Sequence, residues 1–355
     1  MQRGYYGQEM SERVQIYYAP LEGVTGHVFR GVHREVYGGV DRYYAPFISP
    51  ADKRGIRNRE LKDILPENNE GICLVPQILT NQAGGFLKVA EMLSGYGYKE
   101  INLNLGCPAG TVVKRRKGSG FLASLEKLNI FLEEIFEKRK GYEISIKTRL
   151  GMYEAEEFGK ILSIYNQYPV KELTIHPRVR EDFYKNKPRL SIFGEALRES
   201  RNPVCYNGDV RSVKDFQMIT KAFPSITAVM CGRGFLGMPE LPEALQKEAC
   251  EPSLERKEGE APVLTDKKRL FCFHDRLYKK YMETLYGYQT VLHKMKELWI
   301  YMEASFLFPL SETKELPLAP EQKTTVAKAV KKIKKAEKQG MYEDGVKELF
   351  AAFDE

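Results

Sequence analysis

Residues 100–150 contain three runs that set the fold class: EINLNLG at 100–106, ASLEKLNIFLEEIFEK at 123–138 and EISIKTRL at 143–150. In the first and third runs apolar residues alternate with polar ones, the period of a strand. In the second run apolar residues recur at helical spacing and mark one face, namely Leu125, Leu128, Leu132, Ile135 and Phe136. Strand, helix and strand in succession predict a βαβ unit and a parallel sheet.

The same alternation extends in both directions from this unit. Eight strand-like runs precede residue 235, at 14–20, 40–48, 73–79, 100–106, 143–150, 172–177, 203–209 and 228–234. Eight such units in this length predict a closed (β/α)8 TIM barrel, an α/β fold. A doubly wound open sheet is the alternative, but it usually has a glycine-rich loop after its first strand, and residues 19–23 (APLEG) lack that pattern.

The pattern changes after the eighth unit. Residues 250–264 are polar and rich in Glu and Pro, as in a linker, and apolar stripes at helical spacing follow. We therefore expect four segments: an N-terminal extension at 1–13, a barrel at 14–249, a linker at 250–264 and a C-terminal helical bundle domain at 265–355. The third helix of that domain is predicted over residues 321–339.

The net charge of +7 is unevenly distributed. Residues 265–338 contain 16 Lys and Arg against 9 Asp and Glu. This excess favours a polyanionic partner, with a solvated helical face as the simpler alternative.

Cellular location and metal content are also constrained. No apolar run approaches the roughly 20 residues of a membrane span, and residues 1–8 lack the apolar stretch of a signal peptide, so we expect a cytoplasmic protein without membrane association. The 6 cysteines form no C-x-x-C pair, so no metal site is expected.

Polar residues stand at the ends of six predicted strands, where a TIM barrel places its active site. They are Gln77, Asn102, Asn104, Lys147, Arg149, His176, Arg178, Asn207, Asp209 and Arg233. The G-R-G at 232–234 suits a phosphate, because glycine lets backbone N–H groups approach an anion and arginine forms a bidentate fork. Lys147 within a strand requires an anionic or electron-rich partner, either a flavin ring edge or a carboxylate.

Cys107 lies in a glycine-rich loop that also contains the four basic residues Lys114, Arg115, Arg116 and Lys117. Such a loop can hold a phosphodiester, and its thiol can act as a nucleophile or a general acid. No residue that could act as a general base for the thiol is nearby in the sequence. This favours a protonated Cys107 that acts as a general acid over an activated thiolate nucleophile.

The run NLNLGCP at 102–108, followed by GSG at 118–120, resembles the signature of the tRNA-dihydrouridine synthases. Five further motifs of that family occur in the order in which the family has them. They are APLEGVT (19–25), IKTRLG (146–151), TIHPR (174–178), NGD (207–209) and GRG (232–234). Pro177 and Val179 depart from its usual glycine and threonine.

The resemblance implies FMN as cofactor, NADPH as reductant, and reduction of uridine to 5,6-dihydrouridine in tRNA or another structured RNA by a protein we expect to be monomeric. Cys107 would be the catalytic proton donor. The flavin would be bound by Pro20, Leu21, Glu22, Gln77, Lys147, His176, Asn207, Gly208, Asp209, Gly232 and Arg233. The RNA would be contacted by Asn104, Lys114, Arg115, Arg149 and Arg178. The alternatives are a flavin reductase of a small molecule and a non-catalytic RNA-binding barrel.

Overall fold

The structure is a computed structural model that describes residues 13–50, 56–252 and 261–353. The predicted N-terminal extension, except residue 13, and most of the predicted linker lie outside these ranges. Within them the chain forms nine strands: β1 Gln15–Tyr18, β2 Arg42–Tyr44, β3 Leu74–Val75, β4 Gln77–Ile78, β5 Glu100–Leu105, β6 Glu143–Arg149, β7 Leu173–His176, β8 Val204–Tyr206 and β9 Ala228–Cys231.

The strands form a parallel barrel in the order β3-β2-β1-β9-β8-β7-β6-β5-β4. The first and last strands of this order, β3 and β4, belong to one segment of chain, so the sheet closes on itself. Pro76 divides that segment because it has no N–H for the ladder, while its carbonyl still accepts a hydrogen bond from Asn102 N at 2.9 Å. The (β/α)8 prediction is confirmed, with the third predicted strand formed in two pieces.

Helices surround the barrel and cover the apolar outer faces of its strands. They are α1 His27–Val36, α2 Asn58–Ile64, α3 Ala83–Gly95, α4 Gly110–Val113, α5 Leu125–Lys138, α6 Glu157–Tyr165, α7 Leu190–Glu199, α8 Val213–Ala222, α9 Arg233–Gly237 and α10 Leu241–Cys250. Short 3-10 helices lie at Pro66–Asn68 and Gly118–Phe121. In α5 the predicted apolar face is buried against the sheet, including Leu128, Leu132 and Ile135.

Five further helices follow: α11 Lys267–Thr284, α12 Tyr288–Met302, α13 Ala304–Leu307, α14 Pro320–Lys335 and α15 Gln339–Ala351. Helix α11 packs on α1, where Phe273 meets the rings of Phe29 and Tyr37 at 5.8 and 5.6 Å between centroids. Arg269 donates hydrogen bonds to the carbonyl of Val36 and pairs with Glu243. One apolar core therefore runs from the barrel into these helices.

The predicted end of the third C-terminal helix is wrong. Helix α14 ends at Lys335, and Ala336 takes an extended conformation with ψ 133°. The chain then turns back, and α15 packs against α14 with Gly345 close to Ile333: a Cβ on Gly345 would lie 2.9 Å from the Ile333 side chain. Burial of both apolar faces against each other requires this turn, which the continuous Lys-rich pattern conceals.

In the described part of the chain, no helix combines the length and apolar character needed to cross a bilayer. The same residues contain no group of three or more His, Cys, Asp or Glu side chains placed to hold a metal ion.

Candidate active site at the carboxyl ends of the barrel strands

A cavity of about 330 Å³ opens at the carboxyl ends of the strands, where this fold places its chemistry. Its lining comes from the loop after β1, from β6, from β7 and the loop after it, from the segments after β8 and β9, and from α12. The lining residues are Ala19, Pro20, Leu21, Lys147, His176, Tyr184, Asn207, Gly208, Asp209, Val210, Arg211, Gly232, Arg233, Gly234 and Tyr301.

One end of the cavity carries a charged cluster centred on Asp209. Arg178 donates to Asp209 at 2.5 Å, and Arg233 donates to it at 2.8 Å. Burial alone would raise the pKa of Asp209, but the hydrogen bonds and charges of these arginines outweigh it and lower that pKa. Gly234 has to be glycine here, because a Cβ would lie 2.3 Å from the Val210 carbonyl oxygen. The two loops can therefore form one compact anion-binding rim.

Lys147 projects from β6 into the cavity. Its ammonium donates to Oδ1 of Asn207 at 2.6 Å, and the Asn207 amide donates to the carbonyl of Met230 at 2.7 Å, which fixes the amide orientation. Burial, together with the nearby charge of Arg149, lowers the pKa of Lys147 to about 8. No carboxylate accepts from this ammonium in the hydrogen bonds of the described residues, so the carboxylate alternative from the sequence loses support.

His176 ends β7 and lies in the same cavity. Its Nε2 accepts a hydrogen bond from Arg178 at 3.0 Å, and burial with four neighbouring cations lowers its pKa well below the usual value. The imidazole is therefore neutral at physiological pH, with its other nitrogen carrying the proton. A neutral, fixed ring of this kind can contact a planar cofactor but cannot supply a cationic acid.

Two tyrosines that line the cavity are not predictable from the sequence. Tyr184 follows β7 in a loop, and the guanidinium carbons of Arg233 and Arg149 lie 4.5 and 5.2 Å from its ring centroid. Tyr301 reaches the cavity from α12. Neither residue belongs to a recognisable motif, and Tyr301 comes from a helix whose sequence shows only a core-facing stripe.

Cys107 lies in the loop after β5, outside the cavity lining. Oδ1 of Asn104 accepts hydrogen bonds from the backbone N–H groups of Gly106 and Cys107, at 3.1 and 3.0 Å. Ser119 donates to the Cys107 carbonyl at 2.8 Å, and Gly118 adopts φ 56° where a Cβ would lie 2.8 Å from the same carbonyl oxygen. The G-S-G segment therefore holds the cysteine in place.

The thiol is partly buried and protonated at neutral pH. Burial raises the pKa of Cys107, and the charges of Arg149 and Lys147 offset this only in part. Arg149 Nε also donates to the carbonyl of Gly106, the residue before Cys107, at 2.9 Å, which ties the cysteine loop to β6. This geometry supports the acid interpretation made from the sequence.

Two predicted flavin contacts lie outside the lining. Gln77 is fully buried inside the barrel, where it donates to Asn102 at 2.8 Å and accepts from Asn104 at 2.7 Å. Glu22 forms an ion pair with Arg59 instead. Gln77 therefore positions Asn104, and through it the Cys107 loop.

The predicted RNA residues divide into two groups. Lys114 and Arg115 are exposed on the loop after α4. Arg149 is 1% exposed and donates to the carbonyls of Gly106 and Val179, and Arg178 is equally buried on Asp209. Contact of Arg178 with RNA would require that ion pair to open.

The donor set of the cavity fits a flavin mononucleotide. Two guanidinium groups and one ammonium face a single carboxylate, which leaves positive charge for a phosphate. Ala19, Pro20, Leu21 and Val210 supply an apolar wall for a planar ring. A lysine ammonium without a carboxylate partner suits the electron-rich edge of that ring.

Known proteins resemble the chain at the levels of family, sequence and fold. The family model for dihydrouridine synthase (Dus) matches residues 17–337. A probable tRNA-dihydrouridine synthase of Staphylococcus aureus (strain MRSA252) is 27% identical over 306 residues, which cover 81% of this chain and 90% of that protein. Probable tRNA-dihydrouridine synthase 2 of Bacillus subtilis (strain 168) is 27% identical over 274 residues, which cover 74% of this chain and 78% of that protein.

Among solved structures, morphinone reductase is similar with a TM-score of 0.49 and 11% identity, covering 71% of this chain and 93% of that chain. The old yellow enzyme from Trypanosoma cruzi has a TM-score of 0.47 and 9% identity, covering 66% of this chain and 88% of that chain. The family match extends over most of the chain, from β1 into the segment after α14. This chain belongs to the dihydrouridine synthase family.

Proposed function

We propose that this protein reduces uridine to 5,6-dihydrouridine in tRNA, with FMN as the bound cofactor and NADPH as the reductant. The observation that carries the proposal is a protonated thiol, Cys107, held beside a cationic cavity at the carboxyl ends of the strands. Family membership and the names of the relatives support the same chemistry.

Residues from four strands, or from the segments that follow them, would hold the cofactor. Arg233 and the glycines beside it would bind the phosphate. They follow β9, the last strand of the barrel, where this fold often has a phosphate site. Lys147 and Asn207 would meet the ring edge, and Leu21 would cover its face. When bound, the flavin supplies the hydride equivalent that C6 of uracil receives.

Cys107 would donate the proton that C5 of uracil needs. A thiol whose pKa is raised by burial is fully protonated at neutral pH and requires no activating base. Asn104 fixes the loop through its two backbone hydrogen bonds, and Arg149 places positive charge beside the thiol, where negative charge develops on the uracil carbonyl.

RNA would reach this site through an extruded nucleotide. A uridine inside a stacked helix cannot approach the bottom of the cavity, so the base must leave its stack. Lys114 and Arg115 are exposed beside the Cys107 loop and would neutralise phosphates of the bound strand.

Replacing Arg233 with alanine should weaken FMN binding. Loss of a charge-assisted phosphate hydrogen bond corresponds to roughly 1.5–3 kcal/mol, or about 10- to 150-fold in Kd. Fluorescence titration of the apoprotein with FMN measures this value. Arg198→Ala, an exposed arginine of α7, is the matched control. An unchanged Kd for Arg233→Ala would move the phosphate site elsewhere.

FMN affinity should fall as the pH rises above about 8. The pKa of Lys147 is about 8 without ligand, and contact with the ring edge requires the ammonium form. Binding above that pH must therefore take up one proton, so the affinity should fall by about tenfold per pH unit there and be level between about pH 7 and 8, above the second pKa of the FMN phosphate. Titrations at several pH values measure the slope.

Lys147→Met keeps the length of the side chain and removes its charge. Its FMN affinity should be weaker and independent of pH over the same range. A variant with the wild-type slope would show that another group takes up the proton.

Dihydrouridine mapping in cells that lack the gene tests the function and its RNA class together. We expect specific uridines of tRNA to remain unreduced, and to be reduced again when the wild-type gene is restored. Losses confined to ribosomal RNA would correct the substrate class. An unchanged map would favour the small-molecule reductase or the non-catalytic alternative.

A further inference from the structure

The loop from Val179 to Arg189, after β7, is fixed from inside by one carboxylate. Asp182 is 4% exposed and accepts hydrogen bonds from Val179 N at 2.9 Å, from the Asn186 amide and from Arg189. The Arg180 N–H also donates to the Gly151 carbonyl at 3.0 Å, which ties this loop to the one after β6. The loop therefore presents its outward side chains from a rigid frame.

Phe183 lies at the turn of that loop with an unusual backbone. Its φ is 49°, a left-handed conformation that a bulky side chain rarely adopts and that costs conformational energy. The residue remains 39% exposed, so part of its ring is accessible to a ligand. The turn itself is held by the hydrogen bond from Phe183 N to the Arg180 carbonyl, at 3.0 Å, and by the bonds to Asp182.

Phe183 shares its loop with four basic side chains and with two acidic ones, the exposed Glu181 and the buried Asp182. Arg180 stacks on the ring, with its guanidinium carbon 5.0 Å from the ring centroid. Lys185 and Lys187 are exposed in the same loop. The next residue, Tyr184, already lines the cavity. Aromatic rings interleaved with basic side chains bind bases by stacking and phosphates by charge.

We propose that Phe183, backed by Arg180, is a stacking platform for the nucleotide adjacent to the uridine that enters the cavity. The proposal rests on the proposed function. Extrusion of one base removes a stacking neighbour from the next, and the exposed ring of Phe183, one residue before the cavity-lining Tyr184, replaces that neighbour. Every base has a π-face, so the platform is expected to accept any base at this position.

Two substitutions separate the ring from the backbone. Phe183→Gly removes the ring and relieves the left-handed strain, since glycine adopts such φ values readily. Phe183→Ala removes the ring and retains the strain. Phe183→Trp keeps a stacking ring. Tyr96→Ala removes another exposed aromatic ring, in the turn after α3 at the opposite end of the barrel, and is the control.

Steady-state kinetics with tRNA, NADPH consumption without RNA, and thermal unfolding are measured for each FMN-loaded variant. Loss of one stacked base should raise the KM for tRNA by about 5- to 150-fold in both the glycine and alanine variants, with kcat little changed. The glycine variant should unfold at a temperature no lower than that of the alanine variant. The tryptophan variant and Tyr96→Ala should keep a KM near that of the wild type.

Wild-type KM values in the glycine and alanine variants would overturn the platform. A raised KM for NADPH with an unchanged KM for tRNA would also overturn it and assign the ring to the nicotinamide. Phe183 would return to a packing role if the glycine variant unfolded at a lower temperature than the alanine variant and if both variants showed a fall in kcat as large as the rise in KM for tRNA. Failure of the wild-type protein to reduce tRNA would instead contradict the proposed function.

Discussion

Replacing Cys107 with alanine is expected to slow dihydrouridine formation by about 10²–10⁴-fold, the range typical of a positioned general acid. The variant removes the donor for C5 of uracil, whereas Lys147, Asn207 and Arg233 remain in the cavity. FMN content and NADPH consumption without RNA should therefore stay at wild-type values. Single-turnover assays with tRNA, analysed by nucleoside mass spectrometry, measure the rate.

Cys73→Ala is the control, because Cys73 is an exposed cysteine that precedes β3, at the opposite end of the barrel. It should leave every rate unchanged. Equal single-turnover rates for the wild type and Cys107→Ala would assign the proton to another group and return Cys107 to a structural role.

Reversing the charge of three lysines of α14 is expected to weaken tRNA binding by about 10²–10³-fold near 0.1 M salt, if each binds one phosphate. Lys328, Lys331 and Lys335 are exposed and lie three, four and seven positions apart, so they share one face of the helix. Changing them to Glu should also lower the slope of log Kd against the logarithm of the salt concentration. The decrease should be about 0.9 for each phosphate that is no longer neutralised. Filter binding over a salt series measures both values.

The matched control reverses the charge of Lys99, Lys140 and Lys221, which are exposed at the amino-terminal end of the barrel. This variant has the same net charge as the α14 variant. Equal reductions in affinity for the two variants would show that overall charge, not the α14 face, determines binding. This full-length design is preferable to removing the helices, because Phe273 and Tyr301 would leave the core and the cavity.

The sequence predicts the barrel well because each strand and helix has its own period. The failures have local causes: Pro76 splits the third strand within a single apolar run, and the turn between α14 and α15 is hidden in a continuous lysine-rich stretch. The first break is a property of proline itself, whereas the second depends on the packing of α15 against α14.

The site is predictable where its residues end strands, as for Lys147, His176 and Asn207. Tyr184 and Tyr301 are not, because a loop fixed by Asp182 and the packing of α12 bring them to the cavity. The burial of Arg178 on Asp209 is likewise visible only in three dimensions. A strand-end arginine and an RNA-contacting arginine look the same in a sequence.

Reduction of uridine in tRNA at the cavity beside Cys107 can be measured directly. The most direct measurement incubates the FMN-loaded protein with NADPH and a tRNA transcript that contains no dihydrouridine, followed by nucleoside mass spectrometry. We expect dihydrouridine to form at defined positions with the wild-type protein and to be nearly absent with Cys107→Ala. Steady NADPH consumption without any dihydrouridine in the folded transcript, or in tRNA purified from cells that lack the gene, would contradict the account.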